Sequence, residues 1–559
     1  MAILIPPPQP GKNSITLWHE ALEKALRLKE KEIRFSPGKY EFFPEGCSQR
    51  YCWFSNNDEG VKTIALDLCD LDGMTVSGEN TELFFHGRIS PLVAENCRDL
   101  HISGLTVDFE DSFVSDADIV ETENDIAWVK ISGKHRFQDG KLHFTGDFYD
   151  NLSGKMRILS FDTAKNEVIW NQKTAIIPNA GLSERNGLVG IPGLAGKVCS
   201  NALLIRHEDR LCPGMVFHQC REVRCTDLTL HHAAGMGVLA QLCTNVSLEG
   251  VKILPRNRRS SVSDDAVHIV ECRGKISLNN CELRGTLDDS VNVHGMYHQM
   301  KLRLPGWKYY YLQAGHFQQQ GLQAAFPGDT LELLKNDTLK PYGRLKIKEA
   351  YKINKSQTFI GFDEKDLPPE WAYGDDARVV ETAQAELQVT NCTFAPLSGR
   401  GVLASGLKKV VIRKNFFHSS GAGVFVSGDG LYWYETGPVE DMEISDNVFD
   451  NCCYDRNNAS REPVAVFPEL QKLEPDFYYH GRIAVLNNRF ISSRRPQVAM
   501  TSVREAEVKG NCFIPDDRYP YDPPEIQVYS FTDRNSPCAA FRHCGKITCS
   551  GNEGFFGML

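Results

Sequence analysis

A short run of residues occurs twice in this chain, 24 positions apart. Asp264-Asp265-Ala266-Val267 returns as Asp288-Asp289-Ser290-Val291, and His268 then corresponds to Asn292. Between the copies lies Ile276-Ser277-Leu278-Asn279-Asn280-Cys281-Glu282-Leu283, a β-type segment broken by a turn. A period of about 24 residues built from such segments marks a solenoid, whose coils bury their apolar faces only by stacking on one another. Stacked strands lie ~4.8 Å apart, so equivalent residues of successive coils become neighbours. The two copies therefore bring four aspartates into one patch. A single Asp at a coil corner is explained by turn capping, since its carboxylate accepts backbone N–H bonds. Two pairs in register repel each other and raise a pKa. A fold sustains that mainly where carboxylates move protons or bind a cation.

The valine that closes each copy aligns further coils. Gly235-Met236-Gly237-Val238 precedes the two copies, and Gly399-Arg400-Gly401-Val402 and Gly421-Ala422-Gly423-Val424 follow them. One corner thus reads Met236, Asp265, Asp289, Arg400 and Ala422, with charge only in the central coils. The flanking glycines are expected to leave room for a ligand at the backbone. Arg400 beside Asp289 is equally an ion pair or a substrate contact. Strict alternation would put Asp265 inward with Val267 and Ile269, leaving Asp264, Ala266 and His268 outward. A corner resets that phase, so that Asp265, Asp288 and Asp289 reach solvent. His268, Asn292 and His294 then form a polar floor suited to sugar hydroxyls.

The rest of the chain is organised about these coils. Residues 14–30 carry Leu17, Trp18, Ala21, Leu22, Ala25 and Leu26 at helical spacing, with Ser14 or Thr16 as N-cap. A helix there would close the open end of a solenoid. The expected layout is an N-terminal cap and first coils over 1–107 and an inserted β module over 108–210, where the 24-residue rhythm stops. Central coils follow over 211–296, then a barrel-like insert over 297–385 and C-terminal coils over 386–559. Inserts leaving coil corners usually wall a cleft. The later coils carry Asn-x-Phe or a near variant at Asn391, Asn415, Asn447, Asn488, Asn511 and Asn552. An Asn ladder at the turn and a Phe stack in the core account for both letters. The expected fold class is all-β, a right-handed parallel β-helix with a capping helix and two inserted β modules.

The net charge of −10 argues against nucleic acid and anionic membranes as partners. Apolar runs are far below spanning length, so no membrane span is expected. Met1-Ala2 leads straight into Ile3-Leu4-Ile5 and three prolines, so a signal peptide is absent or already removed. A secreted, periplasmic or surface-attached setting fits the second case, and assembly of identical copies stays open. Most of the 18 cysteines read as buried core thiols, and no CxxC spacing points to zinc. No cofactor and no metal is expected.

Clustered carboxylates in a groove, without nucleophile spacing or a phosphate loop, suit glycosidic bond hydrolysis. One carboxylic acid protonates the leaving oxygen and another carboxylate activates water or attacks carbon. Carboxylates on adjacent coils are expected roughly 6 to 9 Å apart, the inverting range. Asp265 and Asp289 should titrate as a coupled pair.

The segments Asp265–Ile269, Cys272-Arg273-Gly274 and Leu287–Tyr297, with Gly235–Gln241, resemble glycoside hydrolase family 110. That resemblance implies an exo-acting, inverting α-1,3-galactosidase on a β-helix interrupted by barrel-like inserts. It places the essential aspartates on Asp265, Asp288 and Asp289, and a terminal α-1,3-linked galactose, as on blood group B or linear α-galactosyl glycans, as substrate. Asp264, His268, Asn292, His294 and Arg400 are the candidate substrate-binding residues. The competing readings are a polygalacturonase-like hydrolase, which would want basic subsites, and a non-catalytic carbohydrate-binding β-helix. A calcium-dependent lyase is disfavoured, because no Asp-x-Asp cluster with a basic partner stands out.

Overall fold

The computed structural model describes residues 2–57, 59–169, 174–207, 210, 212–304, 307–454, 462–493, 496–519 and 539–554. Its body is a parallel β-helix, as the period requires. The wall that matters most stacks Ser90–Glu95, Met215–His218, Val238–Gln241, Val267–Val270, Val291–Met296, Val402–Ala404 and Val424–Val426 in parallel, and continues to Ala539–Arg542. The register puts Val238, Val267, Val291, Val402 and Val424 side by side. The corner column Met236, Asp265, Asp289, Arg400, Ala422, each two residues before its valine, follows from that register.

Each coil turns twice more. After Val267–Val270 come Arg273–Asn279 and Glu282–Leu283, which join a second, 22-stranded parallel array. Side chains pointing into the bore form one continuous core that includes Val267, Ile269, Val291, Val293 and Val402. Two columns reinforce the later coils. Phe394, Phe417, Phe449, Phe490 and Phe513 stack with ring centroids 4.8–5.2 Å apart. Asn415, Asn447, Asn488, Asn511 and Asn552 pass side-chain hydrogen bonds down the stack at 2.9–3.1 Å. Asn391 stands outside this ladder. It occupies the left-handed turn position (φ 56°), and the next residue, Cys392, takes the ladder place, donating its N–H to Asn415 Oδ1 at 2.8 Å. The Phe555 of the Asn552 segment lies outside the described residues.

The N-terminal helix spans Ile15–Leu28 and buries Ile15, Trp18, Ala21 and Ala25 against the first coil, with Trp18 stacked on Phe35. Leu26, expected on that face, is exposed. The Ser14 side chain makes no cap bond; Asn13 Oδ1 accepts the Ile15 N–H instead at 3.1 Å.

Two antiparallel modules bracket the wall. The first runs from Val114–Glu123 to Ala202–Arg206, has its own core and rejoins the wall at the start of Met215–His218. The second, seven strands from His298–Leu304 to Asp376–Val379, leaves from the far end of Val291–Met296 and also has its own core. One module therefore stands at each end of the central wall strands. The 254–266 loop pins the first in place: Arg258 binds Asp108, and Arg259 binds Asp118 across the junction, both at 2.7 Å.

Candidate active site

The turn before each central wall strand carries its two aspartates, and the ~4.8 Å stacking distance brings the turns together. One oxygen each of Asp265, Asp288 and Asp289 lie within 4.8 Å of one another. This oxygen-to-oxygen approach is closer than the expected 6 to 9 Å, because backbone hydrogen bonding draws the turns tight. The Asp289 N–H donates to Asp265 Oδ1 at 3.0 Å. Asp265 and Asp289 are buried, whereas the Asp288 side chain is 38% exposed.

Each carboxylate has its own partners. Asp289 Oδ1 accepts from Arg400 N at 2.9 Å and from Arg400 Nε at 2.8 Å. Asp265 Oδ2 lies 2.7 Å from His268 Nδ1. Arg210 Nη2 stands 3.5 Å from Asp288. Burial pushes Asp265 well above the usual carboxylate range, and the Asp288 charge adds to the effect. Burial likewise pushes Asp289 up to about 7, against the pull of Arg400.

Behind Asp265 runs a line of rings. His268 Nε2 is 3.1 Å from His294 Nε2 and 3.2 Å from Asn56 Nδ2, and His294 Nδ1 is 2.7 Å from the Gly295 carbonyl. Burial lowers both histidines, His268 to about 3, so both rings are held neutral and each has one N–H to give among these contacts.

Several expected contacts take other places. Asp264 is enclosed and turned from the cluster; it accepts from Arg206 Nη2 at 2.9 Å, Arg210 Nε at 2.8 Å and Ser263 Oγ at 2.9 Å. It anchors two arginines from the end of the first module. His268 and His294 point out of the bore as expected, but the outer face of the wall is roofed, so they form no open floor. The roof packs Cys52, Phe54 and Leu322 over Met236, Val270 and Met296. Asn292 is buried too, and its Oδ1 has no hydrogen-bond partner. The glycines serve stacking rather than ligand access. A Cβ at Gly399 would fall 2.4 Å from the Asp288 backbone, and one at Gly237 would fall 2.6 Å from the Ala266 carbonyl.

Sequence reasoning missed Asn56, Arg206, Arg210 and Glu435, which lie outside the repeat and carry no period. Glu435–Thr436 pairs antiparallel with Gly295–Met296 and brings the largely covered Glu435 carboxylate 3.8 Å from His294 Nε2. Burial raises its pKa, while His294 and Arg400 pull the other way. The only local signal was the aromatic triplet Tyr432-Trp433-Tyr434 immediately before it. Arg210, which stands beside Asp288, also lines a pocket of ≈ 580 Å³ together with Asn56, Asn57, Arg206 and Phe317 among others. Three converging oxygens offer a cation a partial shell, but Arg210 and Arg400 already compensate the charge.

Residues 311–376, within the second module, match the family described as GLAA-B beta-barrel domain II. Alpha-1,3-galactosidase A of Bacteroides fragilis is 24% identical over 528 residues, covering 92% of this chain and 86% of that protein. Alpha-1,3-galactosidase B of Bacteroides thetaiotaomicron is 25% identical over 538 residues, covering 91% and 85%. Among solved structures, an exopolygalacturonase from Thermotoga maritima aligns with a TM-score of 0.36 and 12% identity, covering 90% of this chain and 84% of that one.

Proposed function

We propose that this chain is a glycosidase acting on α-galactosyl glycans, and more narrowly an exo-acting, inverting α-1,3-galactosidase of glycoside hydrolase family 110. Its substrates would end in α-1,3-linked galactose, as blood group B and linear α-galactosyl glycans do. The observation that carries this reading is the convergence of Asp265, Asp288 and Asp289 from successive coils beside Arg210, which also lines a pocket. The names of the relatives that span most of the chain agree with it.

Asp288, the most accessible of the three, stands beside the pocket-lining Arg210 and protonates the departing glycosidic oxygen. Asp265 and Asp289 hold the attacking water. Asp289, ionised near neutral pH and gripped by Arg400, takes the water's proton. Asp265, backed by His268, fixes the water's position. The close approach of the carboxylate oxygens does not by itself favour inversion, which usually shows carboxyl groups about 6.5–9.5 Å apart. Inversion rests instead on the family resemblance and on the proposed holding of one water by Asp265 and Asp289, whose carboxylate oxygens lie within 4.8 Å of each other.

The polygalacturonase-like alternative draws on the pocket's Arg157, Arg206, Arg210 and Lys355, which suit a uronate. Arg206 and Arg210 are already engaged by Asp264, which weakens that reading. The deciding assay compares galactose release from Gal-α-1,3-Gal with uronate release from polygalacturonate. Proton NMR at early times should find β-galactose first; initial α-galactose would refute inversion.

A further inference from the structure

Two loops from distant parts of the chain meet at the mouth of the pocket and expose a run of aromatic rings. From the second module come His316 and Phe317; from the solenoid come Tyr432 and Trp433. The centroids step from Phe317 to His316 (4.4 Å), on to Trp433 (4.9 Å) and then to Tyr432 (4.8 Å). Phe317 is 66% exposed, Tyr432 61% and Trp433 42%, although large aromatic side chains are ordinarily well covered. Phe317 also lines the pocket that holds Arg206 and Arg210.

The platform is rigid before anything binds. The buried Asp429 carboxylate accepts the backbone N–H groups of Leu431, Tyr432 and Trp433 at 2.5–2.9 Å. Gln319 Nε2 donates to the Trp433 carbonyl at 2.6 Å, joining the two loops. Tyr434 packs so closely over Gly315 that a Cβ there would fall 2.2 Å from its ring. The residue after Tyr434 is Glu435, which enters the aspartate site. One rigid loop therefore supplies both a group inside the site and the rings at its mouth. Such pre-ordering lowers the entropy lost on binding.

From this geometry we infer that Phe317, Tyr432 and Trp433 form a stacking platform for the sugar rings beyond the terminal residue. The inference rests on the function proposed above for the adjoining pocket. Pyranose faces are patches of C–H groups that pack on aromatic faces, while their hydroxyls stay in water. Continuity with the pocket selects the remainder of the same glycan as occupant, rather than a separate ligand. Exposed aromatic patches of this kind ordinarily mark binding surfaces.

The test compares a linear tetrasaccharide ending in α-1,3-galactose with the disaccharide Gal-α-1,3-Gal. In Trp433→Ala the ratio of their kcat/KM values should fall about tenfold, and Trp433→Phe should restore most of it. An unchanged ratio overturns the platform. If the wild-type chain releases galactose from neither sugar, the proposed function fails, and calorimetric titration of the same two sugars judges the platform alone. Tetrasaccharide binding weakened about tenfold by Trp433→Ala upholds it, and equal wild-type affinity for both sugars overturns it.

Discussion

His268 holds Asp265 from behind, Nδ1 to Oδ2, at 2.7 Å. The imidazole is enclosed between the roof residue Asn56 and His294, so it cannot touch a substrate. Its effect must pass through the carboxylate. The His268→Ala variant leaves Asp265 Oδ2 without this partner and free to rotate. We expect kcat to fall about tenfold to a hundredfold, the scale of small misplacements in a site, with KM within a factor of two. His268→Gln, which keeps a donor, should recover part of the loss and shift the pH profile. A large rise in KM with unchanged kcat would show that the ring serves binding instead.

The division of roles predicts a substrate-dependent rescue. An acid is needed least when the leaving group departs easily. Asp288→Asn should lose most activity on a disaccharide and keep far more on an activated aryl α-galactoside. Asp265→Asn and Asp289→Asn should fail on both, because the water must be positioned and activated whatever departs. If the aryl substrate rescues Asp289→Asn and leaves Asp288→Asn inactive, acid and base exchange places.

Charge compensation predicts independence from metal. Arg210 and Arg400 already face the three carboxylates. Activity should survive exhaustive EDTA treatment followed by gel filtration. A loss restored by added Ca²⁺ would place a cation in the cluster.

The coil repeat was legible because it is local. Val267 and Val291 fix a register that the structure keeps, and the corner column follows from it. What sequence could not show was what lies over the wall. His268 and His294 alternate outward as the pleat demands, yet residues 52–57 and the second module cover them. Asp264 reads like Asp265 in sequence, and only the arrival of Arg206 and Arg210 from the first module separates their roles. Asn391 misled for the opposite reason: the letters matched, but the turn places its neighbour Cys392 in the ladder.

The Asn ladder gives a stability prediction apart from the site. Asn488 is fully buried; it donates to the Ile444 carbonyl at 2.8 Å and to Asn511 Oδ1 at 3.1 Å, and it accepts from Asn447 N and Nδ2. Asn488→Ala strips Asn447 N and Nδ2 and the Ile444 carbonyl of this partner on the preceding coil, each buried group left unsatisfied costing about 1–3 kcal/mol, while Asn511 Oδ1 keeps the backbone N–H of residue 488. Thermal unfolding should show a marked loss of Tm. Asn552→Ala, at the open end of the ladder, should lose clearly less. Equal losses would mean that the ladder does not act as a connected column.

Buried titratable groups of two kinds set the pH dependence, with opposite signs. Burial pushes Asp289, Glu271 and Glu469 up to about 7 and Asp376 up to about 8. A carboxyl whose folded pKa is raised binds more protons folded than unfolded, so its contribution is full below about 4 and lost as pH rises through about 7 to 8. Burial lowers His207, His232, His268 and His480 to about 3 and His218 and His298 to about 4. Those histidines contribute fully above their ordinary 6.5 and lose that contribution as pH falls towards 3 or 4. Between about 4 and 6.5 the two sets oppose each other. Above 6.5 the histidines stop changing and the carboxyls alone act, so Tm should fall from pH 6.5 to pH 8. Activity should move the other way on its acid side, because Asp289 must be ionised to take the water's proton. The acid limb of kcat/KM should therefore lie near pH 7, with activity rising where stability declines. Calorimetry and initial rates over pH 5 to 8 test both trends. A Tm that climbs to pH 8, or an acid limb near 4, would show that the carboxyls are not held protonated.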